Sequence, residues 1–218
     1  MDYKKEIIKI LTSFEGGWSP YDLFCDWIKM LALSISNTTD IIQGKLWQER
    51  EKDYLNTIKK YDAVKDRFVE MSGYLTLALD QEITDVLGQI YMEAGLGNKY
   101  TGQFFTPFHL SLLTAQSSMP QKIEEPIKLN EPSTGGGGMI FAVARVMLER
   151  GYNPQQWIDV VAQDLDWKGV YMTYVQISLL GLKGVVVQGD TLIEPFTDLR
   201  HYQRNRVFIT PAKKGLLF

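Results

Sequence analysis

The sequence predicts an α/β chain: a helical N-terminal part, residues 1–98, then a doubly wound, mostly parallel sheet over 99–218, truncated after its fourth strand. Two observations predict this. Before Gly95, apolar residues recur at helical spacing between charged positions. After it, short apolar runs, three of them ending in an acid, alternate with helical stretches at the spacing of βαβ units.

In chain order, Ile7, Ile8, Ile10, Leu11 and Phe14 form a first apolar helix face, and Leu23, Phe24, Trp27, Ile28, Leu31 and Ile35 a second. Gly16-Gly17 and Ser19-Pro20 punctuate between them. A long charged helix carrying Trp47, Leu55 and Ile58 follows over 39–61, with further helices over 63–79 and 81–94. No glycine-rich linker separates this half from the rest, so it is expected to pack onto the second half. Strands are expected at 127–131, 157–164, 184–190 and 206–210, with helices at 139–150 and on to about 180. Asn153-Pro154 reads as a helix-ending turn, and Ser19-Pro20-Tyr21 as a helix start.

Composition excludes several classes. A hydrophobic fraction of 45% with 22% charged residues is that of a globular protein. No apolar run approaches a membrane span, and the mixed charges of Met1 to Glu6 do not form a signal peptide, so a cytoplasmic location without membrane contact is expected. Cys25, the single cysteine, sits on a helical apolar face with no histidine nearby in sequence, which reads as a structural thiol. With only His109 and His201, no metal site is expected. The net charge of −3 argues against a surface that grips nucleic acid throughout. Residues 198–218 nonetheless set Asp198 against Arg200, Arg204, Arg206, Lys213 and Lys214, a local +4 that reads as a solvated basic end or a DNA contact.

The chemistry concentrates in Glu131-Pro132-Ser133-Thr134-Gly135-Gly136-Gly137-Gly138-Met139, between the first strand and its helix. Glycines such as Gly135 and Gly137 let a backbone turn sharply and approach a ligand, and the helix beyond offers free N–H groups to an anion. Glu131 and Ser133 flank this loop. Asp164 ends the second strand, where an acid can accept from ribose hydroxyls, and Asp190 ends the third, where it can meet an adenine amino group. No lysine follows the glycines as in a P-loop, and their spacing is not that of a dinucleotide fingerprint. A nucleoside without a long phosphate chain fits this pattern better.

These residues, with Gly102-Gln103-Phe104-Phe105-Thr106-Pro107 before them, resemble the adenine-N6-specific DNA methylases, particularly the modification subunits of type I restriction-modification systems. The resemblance covers roughly residues 88–190 and implies an S-adenosylmethionine-dependent methyltransferase fold. It implies that Phe104, Phe105, Thr106 and Pro107 pack against the methionine end of the cofactor, and that 131–139 is the cofactor loop. It further implies that Asp164 holds the ribose, that Leu165 lies on adenine, and that Asp190 and Thr191 surround the adenine amino group. Thr106 and Pro107 would also suit a helix start, Thr106 as cap and Pro107 in the first turn.

The chain departs from the family at its fourth strand. Where the family has Asn-Pro-Pro-aromatic, this sequence has Thr210-Pro211-Ala212-Lys213, which makes Thr210 and Pro211 the candidate catalytic residues of a divergent loop. Two functions follow as expectations: a methyltransferase acting on DNA with a divergent catalytic loop, or a catalytically inactive cofactor-binding or protein-interaction module. A homodimer, or a partner subunit supplying target recognition, is the expected assembly.

Overall fold

The computed structural model of the protein describes residues 1–14, 17–97 and 104–215. Gly16, the 98/99 boundary, and Gly102 and Gln103 of the aromatic motif lie outside them. The helical part comprises α1 (Tyr3–Thr12), α2 (Pro20–Thr38), α3 (Lys45–Ile58), α4 (Lys65–Gln81) and α5 (Val86–Glu93). Asp2 caps α1 by accepting from Lys5 N–H, and Pro20 opens α2. The single helix expected over 39–61 is shorter. Residues 40–44 form a turn, with Gln43 at φ 50°, and a 3-10 segment over Lys59–Val64 carries a kink at Tyr61.

The second part begins with α6 (Phe108–Ser118) and continues as β1 (Ile127–Glu131), α7 (Gly138–Glu149), the short α8 (Pro154–Trp157), β2 (Ile158–Asp164), α9 (Trp167–Leu179), β3 (Lys183–Gln188) and β4 (Val207–Ile209). Asn153 caps α8, accepting from Gln155 N–H at 3.0 Å, so Asn153-Pro154 starts a helical turn rather than ending one. Thr106 does not cap α6; Pro107 itself occupies that position, with no side-chain cap.

The molecule is thus α/β, with a helical N-terminal part and an open, mostly parallel mixed sheet in the order β1-β2-β3-β4. β1, β2 and β3 are parallel, as expected, but β4 is antiparallel to β3, pairing Val187 with Val207 and Val185 with Ile209. The link explains the difference. A parallel strand needs a crossover of a dozen or more residues, usually a helix; residues 189–206 contain only two 3-10 turns, and the chain simply doubles back.

The two-sided winding expected of the sheet is also not what the described residues show. Helices α7 and α9 pack with Ile158, Val160, Ala162, Val186 and Phe208, on one face. On the other, Val185, Val187 and Val207 form a small apolar cluster with Tyr202, Phe196 and Ile209. Right-handed crossovers between strands taken in consecutive order leave their helices on one side.

Helix α9 is buried on nearly every side, from Lys168 to Ser178, because α2 and α5 pack against it opposite the sheet. One apolar core therefore runs through both parts of the chain, from Ile7 and Trp27 to Phe141 and Phe208. Arg50 of α3 strengthens the join. Its guanidinium donates to the Val207 carbonyl at 2.8 Å and lies 4.2 Å from the centre of the Phe208 ring. No helix among the described residues is long and apolar enough to cross a membrane.

Candidate functional site

Parallel strands bring the ends of β1, β2 and β3 to one edge of the sheet, and the loops there are tied together. Thr134 N–H donates to the Gln163 carbonyl, Gly189 N–H to the Asp164 carbonyl at 2.8 Å, and Thr191 Oγ1 to the Pro132 carbonyl at 2.5 Å. Asp164 joins two of the expected elements directly. Its Oδ2 accepts from Gly135 N–H at 2.7 Å, and its Oδ1 from Asp166 N–H at 2.9 Å.

The glycine loop is shaped by contacts with the protein. Gly135 and Gly137 have φ of 52° and 93°, a region that L side chains rarely adopt. A Cβ on Gly135 would stand 2.9 Å from the Phe105 ring, one on Gly137 2.7 Å from Phe141, and one on Gly136 would overlap the Asp85 carboxylate. From beneath, α9 grips the same loop: Thr173 Oγ1 donates to the Gly135 carbonyl at 3.1 Å, and Gln176 Nε2 to the Gly136 carbonyl at 2.9 Å. The glycines are therefore already required by the fold, before any ligand is considered.

Around this loop lies a cavity of about 340 Å³, lined by Phe104, Phe105, Thr106, Glu131, Ser133, Thr134, Gly135, Gly136, Gly138, Met139, Asp164, Asp85 and Ser111. It thus collects three segments far apart in sequence: the aromatic motif, the glycine loop and the end of β2. Pro107 falls instead in a neighbouring hollow of about 420 Å³, which shares the Asp85, Phe105 and Thr106 wall. Leu165, 67% exposed, sits at the end of β2, just outside the cavity lining. Asp190 lies two residues beyond β3 and caps its own turn, accepting from Leu192 N–H at 2.9 Å.

Thr210 and Pro211 are elsewhere. Because β4 runs antiparallel, its end lies beside Gly184, at the start of β3 and the opposite edge of the sheet from Asp164. Thr210 is fully buried. Its Oγ1 accepts from Gly184 N–H at 3.0 Å and donates to the Leu182 carbonyl at 2.9 Å. The structure does not bring this candidate catalytic pair to the glycine loop.

The electrostatics of the cavity are acidic. Burial pushes the Asp164 carboxyl above its ordinary pKa, against the opposing pull of the Asp166 and Gly135 N–H groups. Burial also raises Glu131, whose Oε1 accepts from Ser133 N–H, with the charge of Asp164 adding to the effect. Among the described residues no lysine or arginine lines the cavity. Such walls suit hydroxyl and ammonium donors and disfavour a polyphosphate chain. Among the described residues no group of three or more His, Cys, Asp or Glu is placed to hold a metal ion.

Sequence reasoning missed Asp85 and its support. Asp85, only 4% exposed, accepts from Gly88 N–H at 2.8 Å and from Gln176 Nε2 at 3.1 Å. A signal was present: an acid inside the apolar run Ile83 to Leu87, where burial demands polar partners. Lys168 was also missed. It is 5% exposed and donates to Tyr91 Oη at 3.0 Å, and Tyr91 in turn packs on Phe105 with ring centroids 5.1 Å apart.

The basic C-terminal segment carries less free charge than its composition promised. Arg200 pairs with Asp198, Arg206 with Glu194 and Lys213 with Asp159, while Lys214 donates to Thr39 Oγ1 at 3.0 Å. No protein-family model matches the sequence, and no curated protein matches it.

Proposed function

We propose that the chain binds S-adenosylmethionine in the glycine-loop cavity, as a methylase-like protein of the adenine-N6 class. One observation carries the reading: Asp164 holds Gly135 N–H at 2.7 Å inside a single cavity that Phe104, Phe105 and Thr106 also line. Segments separated by dozens of residues, and singled out by one resemblance, meet around a space suited to a small ligand. The lining supports a nucleoside over a nucleotide, since Asp164 and Glu131 can accept from hydroxyls and, among the described residues, no lysine or arginine lines the cavity to meet a phosphate. The exposed face of Leu165 offers an apolar surface for a purine.

Calorimetry tests this reading. S-adenosylmethionine should give measurable heat of binding, and Asp164→Asn should weaken it about tenfold or more, the effect of losing a charged acceptor. Folded, intact protein that gives no heat ends the proposal.

A second reading concerns chemistry, and Thr210 favours it. With its hydroxyl committed to Leu182 and Gly184 at the far edge of the sheet, Thr210 supports binding without methyl transfer by the 210–213 loop. DNA as acceptor, with a partner subunit for target recognition, belongs to the first reading. Transfer of a tritiated methyl group to unmethylated DNA separates the two: incorporation that survives Thr210→Ala favours an enzyme whose catalytic groups lie elsewhere. A blank across varied DNA sequences favours the module.

A further inference from the structure

A separate cavity of about 460 Å³ lies at the seam between the two parts of the chain, and it shares no described lining residue with the glycine-loop cavity. Helices α2 and α3 wall it on one side; α9, the 3-10 turn Arg204–Arg206 and β4 wall it on the other. Its central cation is Arg50. Two guanidinium N–H groups are used, by Ser36 Oγ at 2.5 Å and the Val207 carbonyl at 2.8 Å. The group has five, so donors remain. Among the described residues Arg50 makes no ion pair, and the two acids of the same cavity are engaged elsewhere, Asp53 with Lys29 at 2.6 Å and Glu49 with Lys45 at 3.7 Å. Burial lowers the Arg50 pKa, with only a partial offset from Tyr174, Tyr171 and Asp40. A counter-anion would relieve that cost.

An aromatic platform stands beside the cation. The Trp167 and Tyr171 rings stack with centroids 5.4 Å apart and planes 26° from parallel, and Trp167 remains 37% exposed. Phe208 joins platform to cation, its ring centre 6.4 Å from that of Trp167 and 4.2 Å from the Arg50 guanidinium carbon. Asn205 is exposed at the rim. Its amide, the Trp167 indole N–H and the Tyr171 hydroxyl make no hydrogen bond among the described residues. A planar ring can therefore stack on Trp167 while an anion attached to it reaches Arg50, and the volume suits a ligand of nucleotide size. One uncompensated cation also limits the charge. A single phosphate is matched, whereas a strand of phosphates would meet Glu49 and Asp53 in the same wall.

We propose that this seam cavity binds a mononucleotide, its base stacked on Trp167 and its single phosphate held by Arg50 and the Asn205 amide. The site stands independently of the glycine-loop reading. Because its walls come from both parts of the chain, an occupant bridges α3 to α9 and β4 and stabilises the folded protein by mass action.

Guanosine 5′-monophosphate is the probe, since it brings no adenosine to the glycine-loop cavity. By calorimetry the intact protein should bind it about tenfold or more tightly than guanosine, the effect of a charge-assisted contact. An excess of S-adenosylmethionine should not displace it. Trp167→Leu should weaken binding about fivefold or more, and the nucleotide should shift the indole N–H resonance that this variant lacks. Asn205→Asp, in an exposed turn, sets a like charge beside the phosphate; it should weaken the nucleotide and leave guanosine unchanged. Equal affinity for guanosine and its monophosphate overturns the site, as does displacement by S-adenosylmethionine or undiminished binding in Asn205→Asp. A ten-nucleotide single strand that binds more tightly than the mononucleotide overturns it too, since the ligand would then be nucleic acid. Folded, intact protein that takes up no guanosine 5′-monophosphate ends the proposal.

Discussion

The two ends of one sheet each hold a buried hydroxyl, Thr210 at one and Ser111 at the other, and treat it in opposite ways. At the Thr210 end, every bonding direction of a buried hydroxyl is used by the backbone of its neighbours, Leu182, Gly184 and Lys213. At the glycine-loop end, a buried hydroxyl has no described partner, and a buried carboxylate uses one oxygen while the other faces the cavity. Saturation marks a residue that holds the fold, and incomplete saturation in the wall of a cavity leaves room for a further bond there. The motif position that the resemblance made catalytic belongs to the first kind, and Asp85, which no motif included, to the second.

Thr210→Val attacks the saturated end and should have the largest effect. It strands Gly184 N–H and the Leu182 carbonyl in a buried place, which costs about 2–4 kcal/mol of stability in urea unfolding. Ligand affinity of the folded fraction should not change; a fall in affinity without loss of stability would break the comparison. Gly136→Ala attacks the other end by forcing a methyl group against Asp85, at about 1–3 kcal/mol of overpacking, and here affinity should fall together with stability.

Asp85→Asn sharpens the contrast through pH. Burial raises the Asp85 carboxyl pKa, so the folded protein holds that proton more tightly than the unfolded chain. Above the raised pKa the ionised group costs stability, and the cost fades as pH falls through it toward the ordinary carboxylate range. Asparagine carries no such cost. The ligand-free variant should therefore have the higher urea midpoint at neutral pH, with the advantage gone by about pH 4. A pH-independent difference would show that ionisation is not what separates the two proteins. The smallest effect belongs to Lys213→Gln, which loses the half-exposed pair with Asp159 and should change stability by only about 0.2–1 kcal/mol. A loss of several kcal/mol there would mean that the far end depends on charge and not on the Thr210 bonds.

Much of this was legible in the sequence, and what was not has definite causes. β1, β2 and β3 are short apolar runs bounded by acids and glycines, so local pattern suffices to place them. The sense of β4 is not a local property. Residues 206–210 look like any buried strand, and only the lack of a helix in 189–206 decides that the chain returns antiparallel. That absence also moves Thr210 to the other edge, so one unread connection displaced the whole candidate catalytic loop. Asp85 was hidden differently. In sequence it reads as an acid near a helix start, and it does cap Gly88 N–H; its approach to Gly136 depends on α9 carrying Gln176 beneath both. Phe105 reached the glycines through the resemblance, since nothing in its local pattern announces contact with a residue thirty positions on.

The burial of α9 on nearly all sides has a consequence for handling the protein. Its outward surface, with Val170, Tyr174 and Ile177 fully enclosed, has α2 and α5 as its roof. A fragment beginning at α6 would expose that surface to water, and with it Thr173 and Gln176, which grip the glycine loop. The half that carries the glycine-loop cavity is therefore not excisable: trimming the first five helices should yield an aggregating fragment instead of a compact domain.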